Sequence, residues 1–191
     1  MKFSPTKYSN LIAKAARKLM KSKEYQDVIN ILLKCRENGG IVFTMGCGGS
    51  ASTATHFAAD LAKTVGGFKA ISLVDNIPLV SAITNDLGWE EAFDYQLNTW
   101  KIGPADVLMG FSVHGGSSDW SQNLVRAINL ANKYGASTIG FTGAGGGAMK
   151  THADVCLVVP CSDPDYNTPV AEGMHVVLQH AIIFDLKARL K

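Results

Sequence analysis

Two glycine-rich segments of this chain carry hydroxyl side chains where an apolar run gives way to a helical pattern. The first is GCGGSAST, Gly46 to Thr53, and the second is SVHGGSSDWSQN, Ser112 to Asn123. Glycine lets the backbone turn tightly and approach a ligand without a Cβ in the way. A helix N-terminus then presents free N–H groups and partial positive charge to an anion. Ser50, Ser52 and Thr53 in the first segment, and Ser112, Ser117 and Ser121 in the second, supply further donors. Neither segment reads G-x-G-x-x-G, and neither ends in the G-K-[ST] of a P-loop. That disfavours a nucleotide and favours a small phosphorylated ligand gripped by neutral hydroxyls and amides. The bland alternative for the first segment is a glycine turn capped by a serine. A third segment, TGAGGG from Thr142 to Gly147, has glycines without serine and reads equally as a flexible turn or a ligand contact.

His56 and Asp60 follow the first segment four residues apart, so on a helix they share a face. An imidazole and a carboxylate at that spacing suit a metal ion, or a base and its partner, near the phosphate. A polar surface pair is the alternative. Near the C-terminus, Glu172, His175, Gln179 and His180 interrupt an otherwise apolar helical stretch. Polar groups in such a setting need partners, and with His56 and Asp60 they form the chain's one histidine- and carboxylate-rich set. Glu172 and His180 are eight residues apart, roughly 80° around a helix.

The elements that must position these groups alternate. Residues 1–38 read as two amphipathic helices, with Leu11, Ile12, Ala15, Ala16 and Leu19, then Val28, Ile29, Leu32 and Leu33, at helical spacing. Five short apolar runs follow, at 41–45, 70–74, 106–111, 137–142 and 155–159. Helical stretches lie between and after them, at about 50–65, 77–84, 90–100, 121–134 and 169–190. Apolar strands separated by helices predict a doubly wound α/β fold with a five-stranded parallel sheet. Ligands in such a fold bind beyond the carboxyl ends of the strands, where all three glycine segments fall. The expected organisation is one domain, residues 1–191, with a helical pair over 1–38 and an α/β core over 39–191.

Composition narrows the function classes. The chain has 191 residues, 47% hydrophobic and 18% charged, which excludes intrinsic disorder. Its 18 basic and 16 acidic residues leave a net charge of +2 with no long basic run, so nucleic acid is not expected as a partner. No apolar run reaches the roughly 18 residues of a membrane span, and the N-terminus lacks a secretory pattern. The cytoplasm is the expected compartment. The four cysteines, at 35, 47, 156 and 161, form no C-x-x-C pair and read as free thiols.

The motifs GCGGSASTATHFAADL, SAITNDLGWEEAF, the serine-bearing loop after the third apolar run, and EGMHVVLQH together resemble the sugar isomerase (SIS) domain family, and within it the phosphoheptose isomerases. The resemblance covers nearly the whole chain. It implies a homotetramer with shared sites that converts sedoheptulose 7-phosphate to a heptose 7-phosphate, with zinc as cofactor. It places Ser50 and Ser112 among the phosphate serines, His56 on a metal histidine, Asp60 on the catalytic base and Asp86 near the sugar. An ungapped alignment of the last helix puts His180 on the catalytic and metal histidine and Glu172 on a metal-ligand glutamine, while a one-residue gap would substitute Gln179 for His180. The metal set implied is therefore His56, Asp60, Glu172 and His180, with Asp60 as base and His180 as acid. Ser52, Ser117 and Ser121 complete the expected phosphate contacts, Ser117 and Ser121 competing for one position, and His114 is open to three readings: a phosphate contact as imidazolium, a proton-transfer group, or a loop histidine without a role.

The chain departs from the family pattern in telling places. Asp60 stands for glutamate, Glu172 for glutamine and Cys47 for asparagine. Val113 and His114 replace hydroxyl residues in a second loop about four residues longer. These departures leave two other readings open: a non-catalytic phosphosugar-binding protein, and an isomerase of a shorter ketose phosphate.

Overall fold

The computed structural model describes residues 3–191. Helices α1 (Pro5–Leu19) and α2 (Lys23–Glu37) open the chain, each started by a serine whose hydroxyl accepts a first-turn N–H: Ser4 from Lys7, Ser22 from Tyr25. The core then runs β1 (Ile41–Gly46), α3 (Gly49–Ala59), a π-helical turn (Asp60–Gly66), β2 (Lys69–Ser72), α4 (Ile77–Leu87), α5 (Asp94–Trp100), β3 (Val107–Ser112), α6 (Gln122–Lys133), β4 (Ser137–Thr142), α7 (Gly147–His152), β5 (Val155–Val158) and α8 (Asn167–Arg189). All strand pairings are parallel, in the order β2-β1-β3-β4-β5. This is the five-stranded doubly wound sheet that the alternating apolar runs predict.

Period-two alternation divides the core between the two faces of the sheet. Val42, Val107, Met109, Phe111, Ile139, Phe141 and Leu157 pack against apolar residues of α1, α2, α3 and α8. Phe43, Met45 and Leu108 point the other way, against Phe93 and Leu97 around α5, Leu124 and Ile128 of α6, and Met149 of α7. Because the strands are apolar on both faces, each layer of helices is required to keep them from water.

Three local readings are corrected. The expected regular helix over 50–65 is α-helical only to Ala59, after which the chain widens into the π turn that begins at Asp60 and ends in Gly66 and Gly67, both at positive φ. The 77–84 helix extends to Leu87 and stops at Gly88. Helix α7 was not expected at all, because a six-residue helix directly after a glycine run has too few apolar positions to show a period. Among the described residues no helix is long and apolar enough to cross a membrane, and Cys35, Cys47, Cys156 and Cys161 are free.

Candidate active site

In the strand order observed, the connections leave β1 and β3 in opposite directions across the sheet, so the crevice lies between these neighbours. The last residue of β1, Gly46, pairs with Phe111, the next-to-last residue of β3, so the first two glycine segments depart side by side from one edge. A contact ties them together: Asn123 Nδ2, at the start of α6, donates to Cys47 Sγ at 3.5 Å. Helix α3 is anchored to the sheet by Thr44, whose hydroxyl donates to the Ala54 carbonyl at 2.8 Å.

The N-cap of α3 is Gly48, at φ 58° and ψ −125°, with no side chain capping the helix. That conformation suits glycine and strains other residues. No neighbouring heavy atom lies within 4 Å of where a Cβ would stand, so Gly48→Ala should isolate the backbone term. The expected result is a loss of about 1–3 kcal/mol, read as a fall of several degrees in the thermal midpoint. An unchanged midpoint would mean that the loop relaxes freely.

The third glycine segment serves as support for the second. The N–H groups of Ala148 and Met149, at the start of α7, donate to the carbonyls of Gly116 and Gly115, both at 2.9 Å, and Gly143 N–H donates to Val113 O at 2.9 Å. The approach is so close that a Cβ on Gly115 would stand 2.0 Å from Gly146 O. Two of the first amides of α7 are therefore occupied by backbone carbonyls.

The serines have distinct settings. Ser50 and Ser112 are buried, and Ser112 Oγ accepts from Gly115 N–H at 3.0 Å. Ser52 lines an open cleft of about 320 Å³ with Gly49, Thr53, His56, Glu172, Gly173 and Val176. Ser117 Oγ accepts from Asp119 and Trp120 N–H, at 3.1 and 3.2 Å. Ser121 sits at φ 50° at the N-cap of α6 without capping it. His114 stacks on Trp120, with ring centroids 5.3 Å apart and planes at 18°. Asp86 is exposed near the end of α4, where its carboxylate accepts from Asn85 Nδ2 at 2.7 Å.

The acid–base cluster forms where α3 meets α8. His56 Nε2 lies 3.3 Å from Asp60 Oδ2, and the His56 and His180 rings meet edge-on with centroids 5.3 Å apart. One ligand atom from each of His56, Asp60 and His180 falls within 4.8 Å of the other two. Asp60 is held from two further sides: Thr64 Oγ1 donates to Oδ1 at 2.8 Å and Gln179 Nε2 donates to Oδ2 at 3.3 Å. His180 Nδ1 lies 3.1 Å from the Val176 carbonyl. A carbonyl only accepts, so Nδ1 carries the proton there and a neutral ring keeps its lone pair on Nε2.

Two imidazoles and a carboxylate, with a ligand position left over, are a donor set that fits zinc. Glu172 is not brought to this cluster within the chain. It stands eight residues from His180, about 12 Å along the helix axis, with a carboxylate oxygen 2.7 Å from the point a Cβ on Gly49 would occupy. The sequence reading missed Thr64, although its spacing of four from Asp60 is a local signal. The sequence marks Gln179 as a polar group in need of a partner and as a rival of His180, and the structure gives the two neighbours separate places: Gln179 buried against Asp60, and His180 at the surface beside His56.

Residues 7–143 match the SIS domain family model. The chain is 42% identical over 151 residues to the lincomycin biosynthesis protein LmbN of Streptomyces lincolnensis, an alignment spanning 75% of this chain and 54% of that protein. It is 35% identical over 158 residues to a phosphoheptose isomerase of Helicobacter pylori, covering 81% of this chain and 78% of that one. The structure of phosphoheptose isomerase GmhA from Neisseria gonorrhoeae superposes with a TM-score of 0.82 at 28% identity, over 93% of this chain and 91% of that chain. With a switch-point crevice, paired glycine–serine bends and this agreement in both sequence and fold, the chain belongs to the SIS domain family, in its phosphoheptose isomerase branch.

Proposed function

We propose that the protein is an aldose–ketose isomerase of a phosphorylated sugar, converting sedoheptulose 7-phosphate to D-glycero-D-manno-heptose 7-phosphate. The observation that carries this reading is the convergence of His56, Asp60 and His180 just beyond the first glycine–serine bend. Relatives at 35% and 36% identity named phosphoheptose isomerase support the substrate class.

In this reading Ser50, Ser52 and Ser112, with Ser117 or Ser121 and His114, hold the phosphate, and Asp86 lies toward the sugar. Fixing the dianion at the helix N-terminus positions the sugar chain without the reacting carbons paying for orientation at each turnover. Asp60 removes a proton from C1, the C1–H pair becomes the C1=C2 bond, and His180, entering this step as the imidazolium, gives its Nε2 proton to O2. The enediol then loses its O1 proton to His180 and takes a proton from Asp60 at C2, the proton on Asp60 having exchanged with solvent while the enediol persists. Proton count and charge are restored, leaving C1 as the aldehyde. The clasp of Thr64 and Gln179 on Asp60, and of Val176 O on His180, holds both groups in orientation for this exchange.

His56, Asp60 and His180 are the residues that would hold a zinc ion, and a bound divalent cation would supply polarisation of the sugar oxygens. We assign Glu172 to the ligand set through a neighbouring copy of the chain, in a homotetramer with shared sites. The cytoplasm remains the proposed compartment.

The test is incubation of the purified protein with sedoheptulose 7-phosphate in deuterium oxide, with and without zinc. Deuterium is expected at the carbon adjacent to the carbonyl together with an aldose product. Tight phosphosugar binding without any exchange would identify a binding protein instead, and exchange confined to a shorter ketose phosphate would change the substrate.

A further inference from the structure

Gln179 is fully buried on α8, yet only one end of its amide is used. Nε2 donates to Asp60 Oδ2 at 3.3 Å, while Oε1 is buried and meets no hydrogen-bond donor among the described residues. An unpaired buried amide oxygen lowers stability, and an apolar side chain of similar size would fill the same space without that penalty. The Gln179 amide thus sits in the core at a loss to the fold, and its one polar contact is with a carboxylate of the cluster.

The contact is aimed. Asp60 has a single methylene, so its carboxylate direction depends on what grips the two oxygens. Thr64, from the same π turn, takes Oδ1, and Gln179, from a helix 119 residues away in sequence, takes Oδ2. His56 faces the same Oδ2. Thr64 therefore holds one oxygen, while Gln179 and His56 meet at the other, Oδ2.

We infer that Gln179 is a positioning residue for Asp60, locking the carboxylate so that Oδ2 faces the His56–His180 cluster. The inference rests on the proposed role of Asp60 in isomerisation, and two separate readouts keep its fate apart from that role.

The experiment compares Gln179→Leu with the wild type. Crystal structures of both should show the Asp60 carboxylate turned away from His56 in the variant. The exchange rate of sedoheptulose 7-phosphate should fall about 10- to 100-fold in kcat with KM little changed, the scale set by misplacing a reacting group by around 1 Å. The thermal midpoint should hold or rise, because the orphaned oxygen is gone. In a double-mutant cycle with Asp60→Asn, the Leu substitution should cost far less than it does alone. An unmoved Asp60 carboxylate, a fall in thermal midpoint with kcat retained, or an equal loss in the Asp60→Asn background would each overturn the inference. A wild type without exchange would sink the isomerase reading alone, since the crystallographic comparison still decides whether Gln179 orients Asp60.

Discussion

Replacing Asp60 with asparagine is expected to lower the rate of deuterium exchange into the phosphosugar by about 10²–10⁴-fold, the range in which a positioned general base contributes. The substitution is nearly isosteric, and the amide oxygen can still accept from Thr64 Oγ1, which lies 2.8 Å from Oδ1 in the wild type. Folding should therefore be retained. On the other side the new NH₂ group meets Gln179 Nε2, so two donors face each other where a donor met an acceptor. KM should change little, because the proposed phosphate contacts lie on the glycine–serine bends and not on this side chain. Steady-state kinetics alongside the exchange assay separate the outcomes. Activity within tenfold of wild type would remove Asp60 from the role of base, and a loss confined to KM would make it a binding residue.

The second large effect concerns acid stability. His175 lies on the inner face of α8 with no exposed surface, edge-on to Phe111 and Phe141 at centroid distances of 6.1 and 6.3 Å. Its ring nitrogens have no hydrogen-bond partner among the described residues. Burial pushes its pKa down to about 4, against a small opposing influence from the Thr142 backbone. In the unfolded chain the imidazole returns to an ordinary value near 6.5. The unfolded state therefore binds the extra proton first as pH falls. The stability associated with keeping the ring neutral is complete above pH 6.5 and is lost progressively down to about pH 4. Across that window the loss attributable to His175 is about 3 kcal/mol, a drop of roughly 6–12 °C in thermal midpoint for a chain of this length. His175→Leu should be at least as stable as wild type at neutral pH and should lack this part of the acid slope. Parallel pH profiles for the two proteins would show that the ring is protonated in the folded state and is not desolvated as described.

The strands were legible because burial on both faces leaves uninterrupted apolar runs such as Ile41–Met45, a signal that needs no knowledge of the partner strand. The glycine–serine bends were legible for a similar reason: glycine clusters mark where a backbone turns, and the sheet order put two of them together. His56 and Asp60 could be paired from spacing alone, since a helix brings residues four apart to one face. Their meeting with His180 could not. It depends on how α8 crosses α3, which no local pattern encodes, and only the family resemblance pointed to it. The same limit hid the role of Gln179, whose neighbour in space is far away in sequence. Glu172 shows the converse, a residue that alignment groups with His180 although helical rise carries it toward Gly49. The π turn at Asp60 left no trace either, since its α-helical alternative would show the same apolar positions.

The mating of the bends after β3 and β4 has a consequence for altering which sugar the crevice accepts. Carbonyls of Gly115 and Gly116 are taken by amides of Ala148 and Met149, so residues 112–121 are cast against a mould formed by residues 143–149. Grafting the 112–121 segment from a relative would leave it without its counterform unless 143–149 travelled with it. The two stretches constitute one exchangeable module, and variation in ligand preference should be inherited by the pair.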